Sequence, residues 1–193
     1  MASERVFLRK QATRRRIVEA AMKLFLSQGF EQTSVAQISE AADIGKGTFF
    51  TYFPTKQDVL SFLGQQVLDV MKAADNPECS APDRLRAIFS AAGNWFDENE
   101  AAARQMCIAR ISTFGQAEVP SSRTPLMDLL ATVFAAGVTN GEFRDIDPEA
   151  ALTLVISAYA VPVAQWTWAN PGSLLAPRLA AQLDLVLTAL VRK

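Results

Sequence analysis

The segment at residues 45–56, GKGTFFTYFPTK, most constrains what this chain can fold into. As a β-strand it would carry aromatic side chains on both faces, and neither face would be clearly polar. As an α-helix it places Phe49 and Phe53 four residues apart on one inward face, and Pro54 ends the helix. A helix this short is stable only when packed, because isolated helices under roughly 12 residues are marginal in water. The segment therefore predicts a short helix that two phenylalanines anchor.

Two predicted helices precede this segment. In residues 10–28 apolar side chains recur on one helical face, and Gly29 is typical of the position after a helix end. The apolar positions are Ile17, Ala21, Leu24 and Phe25. Ser34 and Gln37 form a capping box for a second helix, whose buried face is Val35, Ile38 and Ala42. Three helices with a tight turn between the last two predict a helix-turn-helix, whose second helix lies in the DNA major groove.

The rest of the chain predicts further helices and no strand. Thr55 and Asp58 form a capping box for a helix to about residue 74, and Asp147 with Pro148 starts a later one. Helical patterns follow over residues 83–97, about 100–114, about 122–140, 148–169 and 174–192. The fold class is therefore all-α with about nine helices.

Composition narrows the function classes. The chain has no histidine, which excludes Ser-His-Asp and Cys-His catalysis and histidine-ligated metals. Residues 1–60 hold nine Lys and Arg against six Asp and Glu, whereas residues 61–193 hold ten against fourteen, as expected for nucleic-acid contact at one end. Cys79 and Cys107 are too few for a disulfide framework or a metal clip. Since no signal-peptide pattern is present, we expect a cytoplasmic protein. We also expect no cofactor, no metal and no enzymatic activity.

Residues 29–60, GFEQTSVAQISEAADIGKGTFFTYFPTKQDVL, resemble the DNA-binding signature of the tetracycline-repressor (TetR) family of bacterial regulators. The matching positions are Gly29, Phe30, Thr33, Ser34, Ile38, Ala42, Ile44, Lys46, Gly47, Thr48, Phe49, Phe53 and Lys56. The resemblance implies a homodimer with a DNA-binding domain at residues 1–55 and a larger helical domain at 56–193. The first domain would bind a palindromic double-stranded operator, and the second would dimerise and bind a small molecule that releases the DNA.

The same resemblance implies roles for individual side chains. Thr33 and Ser34 would contact phosphate at a helix start, and Lys56 would contact another phosphate. The groove-facing residues would be Lys46, Gly47, Thr48, Thr51 and Tyr52. Three positions depart from the family pattern: Asp43 replaces a turn glycine, Gly45 a capping Ser or Thr, and Phe50 a tyrosine. Phe50 can offer DNA only an apolar contact, for example to a thymine methyl group.

Basic residues outside the signature have two interpretations. The run Arg14–Arg16 is either a set of phosphate contacts or a solvated helix face, and the same holds for Arg5, Arg9 and Lys10, expected on a flexible arm.

A set of large side chains forms a candidate effector pocket, although stripes of this kind are more often plain core. These are Trp95, Phe96, Met106, Phe114, Phe134, Tyr159 and Trp166. Because the surrounding helices carry few charges on their apolar sides, we expect a largely uncharged, hydrophobic or aromatic effector.

Residues 150–169 contain no charge and are long enough to cross a bilayer. Pro162, several polar residues and acidic flanks favour instead a helix buried by its own domain and a partner subunit. The predicted dimer interface is Val155, Tyr159, Trp166, Leu179, Leu183, Val186 and Leu190. We expect no membrane partner. A helical protein-interaction adaptor without DNA binding is the alternative function.

Overall fold

A computed structural model describes residues 2–113, 124–144 and 146–192. Its helices are α1 (Ala2–Gln28), α2 (Val35–Ala41), α3 (Lys46–Tyr52), α4 (Lys56–Ala74), α5 (Ala81–Glu98), α6 (Glu100–Thr113), α7 (Pro125–Thr139), α8 (Pro148–Thr167) and α9 (Ala176–Leu190). In these three ranges the extended backbone pairing is a single isolated bridge between Phe143 and Val191. The predicted all-α class is confirmed.

The chain divides into two compact units. The first comprises residues 1–64 and 101–110, and the second comprises residues 65–100 and 111–193. The boundary lies inside α4, nine residues beyond the predicted boundary at 55. The reason is that Val59, Leu60 and Leu63 in the first turns of α4 are buried, and the Phe62 ring lies 5.9 Å from that of Phe53.

The first unit is built around the predicted apolar faces of α1, α2 and α3. Ile17 and Phe25 of α1, Ile38 of α2 and Phe49 of α3 are at most 1% exposed. Helix α1 begins at Ala2, whereas the pattern predicted a start near residue 10 and a flexible arm before it. The segment contains neither glycine nor proline, so nothing in its sequence interrupts the helix.

Helices α5 and α9 pack closely in the second unit. A Cβ placed on Gly93 would lie 2.5 Å from the Cα of Ala176, so glycine permits this approach. The carboxylate of Asp97 accepts hydrogen bonds from the backbone N–H groups of Leu175 (2.6 Å) and Ala176 (3.0 Å) at the start of α9. Asp97 therefore fixes the α9 terminus against α5.

A buried ion pair lies at the start of the second unit. The Arg84 guanidinium donates two hydrogen bonds to Asp75, at 2.7 and 3.0 Å. This bonding raises the pKa of Arg84 above its ordinary value, against an opposing effect of burial. The pair fixes α5 to the residue that follows α4.

Helix α8 is apolar on most of its surface, and among the described residues it alone is long and apolar enough to cross a membrane. Length and apolar composition are weak evidence for a membrane span, because the core helices of proteins meet the same criterion. Its inner side packs between α7 and α9 and buries Leu152, Val155 and Trp166. The arrangement agrees with a helix that the protein itself partly covers.

Candidate nucleic-acid interface

Helix α3 has one buried side and one accessible side. Phe49 is fully buried and forms an edge-to-face contact with Phe50, which is 53% exposed. On the accessible side lie Lys46, Gly47, Thr48 and Thr51, all exposed, with Tyr52 half-buried. The five predicted groove-facing residues therefore lie on one short helix, outside its buried side.

The turn between α2 and α3 ends α2 in a Schellman motif. The Ile44 N–H donates to the Ser39 carbonyl and the Asp43 N–H to the Glu40 carbonyl, both at 3.0 Å. Asp43 has a φ of +50°, in the left-handed region that favours glycine. Aspartate at this position preserves the turn at the cost of backbone strain.

Replacement of Asp43 tests this strain. We expect Asp43→Gly to raise the free energy of unfolding of the first unit by about 0.5 kcal/mol, because relief of the left-handed strain exceeds the added entropy of the unfolded chain. Asp43→Ala removes the same carboxylate but keeps the strained backbone, so it should lower the stability. Hydrogen exchange of α2 amides measures both effects, and an equal change in the two variants would contradict the backbone explanation.

The loop before α2 has little freedom for the predicted phosphate contacts. Ser34 caps α2, its hydroxyl accepting from the Gln37 N–H while the Gln37 side chain accepts from the Ser34 N–H. Thr33 is 2% exposed, and its hydroxyl donates to the Gly29 carbonyl at 2.8 Å. Ser34 is exposed, so it is the better placed of the two for DNA contact.

The Lys56 ammonium lies inside this loop. Its Nζ donates to the carbonyl oxygens of Phe30 (2.8 Å), Thr33 (3.2 Å) and Glu31 (3.4 Å). It also lies 4.4 Å from the centre of the Phe30 ring, a cation–π distance. These contacts engage the three donors of the ammonium within the protein, in contrast to the predicted phosphate contact.

Arg14 and Arg16 contact other parts of the chain, although Arg16, like Arg15, is exposed. The Arg14 guanidinium lies 4.7 Å from the Phe62 ring centre and 5.5 Å from that of Phe53. Arg16 donates to the carbonyls of Ala42 (2.6 Å) and Asp43 (3.0 Å). Arg15 pairs with Glu19 in an exposed ion pair.

The predicted N-terminal arm belongs to α1. Arg5, Arg9 and Lys10 are exposed on that helix.

The predicted effector-pocket residues form more than one group. The Phe96 ring is 5.6 Å from those of Trp95 and Trp166 and 6.5 Å from that of Tyr159. Phe134 instead stacks on Phe143 at 5.0 Å. Met106 is buried in the segment that belongs to the first unit, and Phe114 lies outside the described residues.

An open apolar groove of about 310 Å³ lies between α7 and α8. Its lining contains Ala131, Phe134, Ala135, Val138, Thr139, Pro148 and Leu152, so Phe134 is its one member from the predicted pocket. The sequence analysis missed the others because it selected aromatic residues and methionine, whereas the other six are alanine, valine, threonine, proline and leucine.

The predicted dimer interface requires correction. Val155, Trp166, Leu179, Leu183 and Leu190 are at most 1% exposed within the single chain, so a partner subunit could not contact them. Tyr159 and Val186 are half-buried. The prediction failed because it assigned the most regular apolar stripe of α9 to a partner, whereas α5 and α8 cover that stripe.

The exposed apolar residues of α8 and α9 lie on other faces. Leu154 and Val161 of α8 are 47% and 50% exposed, and Leu185 of α9 is 69% exposed.

Three packed helices with an accessible third helix form a helix-turn-helix, an arrangement that many DNA-binding proteins share. Residues 17–61 match the model of the bacterial regulatory proteins of the tetR family. The match covers the helix-turn-helix and the start of α4, so this part of the chain is similar to the DNA-binding segment of that family of transcriptional regulators.

Two relatives and one solved structure are similar to larger parts of this chain. The transcriptional regulator TcmR of Streptomyces glaucescens is 32% identical over 108 residues, which is 51% of this chain and 47% of TcmR. The transcriptional repressor KstR of Rhodococcus jostii is 24% identical over 177 residues, 90% of this chain and 82% of KstR. The crystal structure of a tetR-family regulatory protein from Rhodococcus RHA1 superposes with a TM-score of 0.63 at 25% identity, covering 94% of this chain and 98% of that one. The matched part of the chain spans about half the length of TcmR.

Proposed function

We propose that this protein is a ligand-responsive, DNA-binding transcriptional regulator of the cytoplasm, most simply a repressor that a small hydrophobic effector releases from a palindromic operator. The observation that carries the proposal is the accessible side of α3, where Lys46, Thr48 and Thr51 surround a glycine that lets the backbone approach DNA. Two similarities support this function. Residues 17–61 match the tetR family model, and the relative KstR is named a transcriptional repressor.

The proposed DNA contacts follow from exposure. Lys46, Gly47, Thr48, Phe50, Thr51 and Tyr52 would face the major groove, and Ser34 would contact phosphate. The exposed Arg5, Arg9 and Lys10 of α1 would add sequence-independent attraction for DNA.

Selection of genomic fragments with the purified protein, followed by footprinting of an enriched palindrome, tests the function. For Lys46→Met we expect weaker operator binding and a plot of log affinity against log salt whose slope falls by about 0.9 per protomer, because an exposed cation that contacts phosphate releases a counterion. Lys23→Met is the matched control if that exposed lysine of α1 lies away from DNA. An unchanged slope for Lys46→Met would remove this residue from the interface.

The proposed dimer uses the exposed apolar faces of α8 and α9. Leu154 and Val161 lie seven residues apart on one face of α8, and Leu185 lies on α9. For Leu185→Glu we expect the dimer dissociation constant to rise about 30-fold or more, since loss of a central apolar contact costs about 2 kcal/mol. Sedimentation equilibrium measures the constant. Leu26→Glu, at a similarly exposed leucine of α1, should leave it unchanged.

The proposed effector binds the second unit and is largely uncharged. Both candidate regions, the α7–α8 groove and the cluster around Phe96, are lined mainly by apolar side chains. Release requires only that the effector prefer the conformation with low operator affinity, a coupling of typically about 1–3 kcal/mol.

The alternative function is a helical protein-interaction adaptor. Such a protein would select no palindrome and would show no salt-dependent DNA affinity.

A further inference from the structure

Each loop that precedes a helix of the helix-turn-helix is bound by one cation from outside the loop. Lys56 of α4 donates to three carbonyl oxygens of residues 30–33, before α2. Arg16 of α1 donates to two carbonyl oxygens of residues 42 and 43, before α3. The two sets of bonds span 23 to 27 residues along the chain, so they are tertiary contacts and not local turn geometry.

We propose that Lys56 and Arg16 are positioning residues for DNA binding, which orient α2 and α3 through these main-chain carbonyls and do not neutralise phosphate. The inference rests on the proposed function and refines it, because the resemblance assigns Lys56 to a phosphate. The charge that attracts DNA then comes from other cations, such as the exposed Lys46.

The Lys56 contacts leave no donor of its ammonium without an acceptor in the protein. An ammonium has three N–H donors, and three carbonyl oxygens lie within 3.4 Å of Nζ. The Phe30 ring covers the same charge at 4.4 Å, and the Phe25 ring packs against Phe30 at 4.9 Å. A phosphate contact would have to break one of these bonds.

The Arg16 contacts act on the strained turn. Ala42 is the C-cap of α2 and Asp43 follows it, at the helix end where carbonyl oxygens lack intrahelical partners. Arg16 satisfies both, and Asp43 carries the left-handed φ of +50°. Arg16 thus stabilises the residue whose backbone conformation sets the angle between α2 and α3.

Operator binding of the full chain at several salt concentrations separates positioning from phosphate contact. For Lys56→Met and Arg16→Met we expect about a tenfold or larger loss of operator affinity, the typical effect of losing hydrogen bonds to a charged group, with an unchanged salt slope. Lys46→Met is the reference, with a slope smaller by about 0.9 per protomer. A slope reduction in Lys56→Met equal to that in Lys46→Met would overturn the proposal for Lys56, and the same result in Arg16→Met would overturn it for Arg16.

Lys56→Gln keeps the measurement decisive if the methionine variant does not fold. Glutamine is neutral but still donates to a carbonyl oxygen. Lys56→Gln should therefore bind the operator more tightly than Lys56→Met, with the salt slope of the wild-type protein. If Lys56 contacts phosphate, the salt slope of Lys56→Gln would be smaller than that of the wild-type protein, by about 0.9 per protomer.

Hydrogen exchange gives a second readout that needs no DNA. The Thr33 N–H is bonded to the Phe30 carbonyl and the Ile44 N–H to the Ser39 carbonyl. Lys56→Met should accelerate exchange at Thr33 and leave Ile44 unchanged, and Arg16→Met should do the reverse. Equal acceleration at both amides, or none, would contradict separate positioning. If the wild-type protein selects no operator, the proposed DNA function fails, while the exchange pattern still decides whether each cation holds its loop.

Discussion

Phe49→Ala should unfold the helix-turn-helix unit, whereas Phe50→Ala should leave it folded. Phe49 is fully buried, and truncation of a buried phenylalanine costs about 3–5 kcal/mol, a large part of the stability of a small domain. Phe50 is 53% exposed, and substitutions of exposed residues usually change stability by less than about 0.5 kcal/mol. Two adjacent residues of one type therefore have opposite expected effects on folding.

Two measurements on the full chain test this difference. They are circular dichroism of the whole protein and hydrogen exchange at the amides of residues 17–61. In Phe49→Ala the amides of α1 to α3 should exchange rapidly while those of α5, α8 and α9 stay protected, because these three helices belong to the other compact unit. Phe50→Ala should keep wild-type protection and alter only operator affinity or base preference. Protected α3 amides in Phe49→Ala would show that Phe49 does not anchor this helix.

The helices of the first unit were predictable because local signals agreed with packing. The i, i+4 spacing of Phe49 and Phe53 predicted which side of α3 is buried, and both side chains are at most 2% exposed. The capping box of Ser34 and Gln37 predicted the start of α2, and it is present. Gly29, predicted to end α1, has a φ of +88°.

The roles of the cations were not predictable from local pattern. Arg16 and Lys56 find their acceptors 23 to 27 residues away, and no spacing rule relates side chains at such separations. A lysine in a DNA-binding signature resembles a phosphate contact whether its ammonium points outward or into a loop. Only the tertiary fold distinguishes the two.

The predicted set of dimer-interface residues was wrong for a related reason. An apolar stripe such as Leu179, Leu183 and Leu190 indicates that a helix face is buried, but it does not indicate what buries it. In this chain α5 and α8 do so. The less regular residues Leu154, Val161 and Leu185 are the exposed ones, and their spacing alone gave no signal of an interface.

Gly93→Ala should destabilise the second unit although alanine is the better helix former. The added Cβ would lie 2.5 Å from the Cα and 2.8 Å from the Cβ of Ala176, so α9 must move away from α5. That movement would also strain the hydrogen bonds of Asp97 to the start of α9. Overpacking typically costs about 1–3 kcal/mol, whereas the helix propensity of alanine recovers only about 1 kcal/mol. We therefore expect a net loss, measurable as a lower urea midpoint of tryptophan fluorescence.

Asn94→Ala is the matched control for this substitution. Asn94 is the next residue of α5 and is exposed, so its replacement should change the midpoint little. Because Gly93→Ala and Asn94→Ala both favour the helix over the unfolded chain, the difference between them isolates the contact with Ala176. A midpoint for Gly93→Ala at or above that of Asn94→Ala would mean that α9 can shift without cost, and the close approach of α5 and α9 would then not be what fixes the second unit.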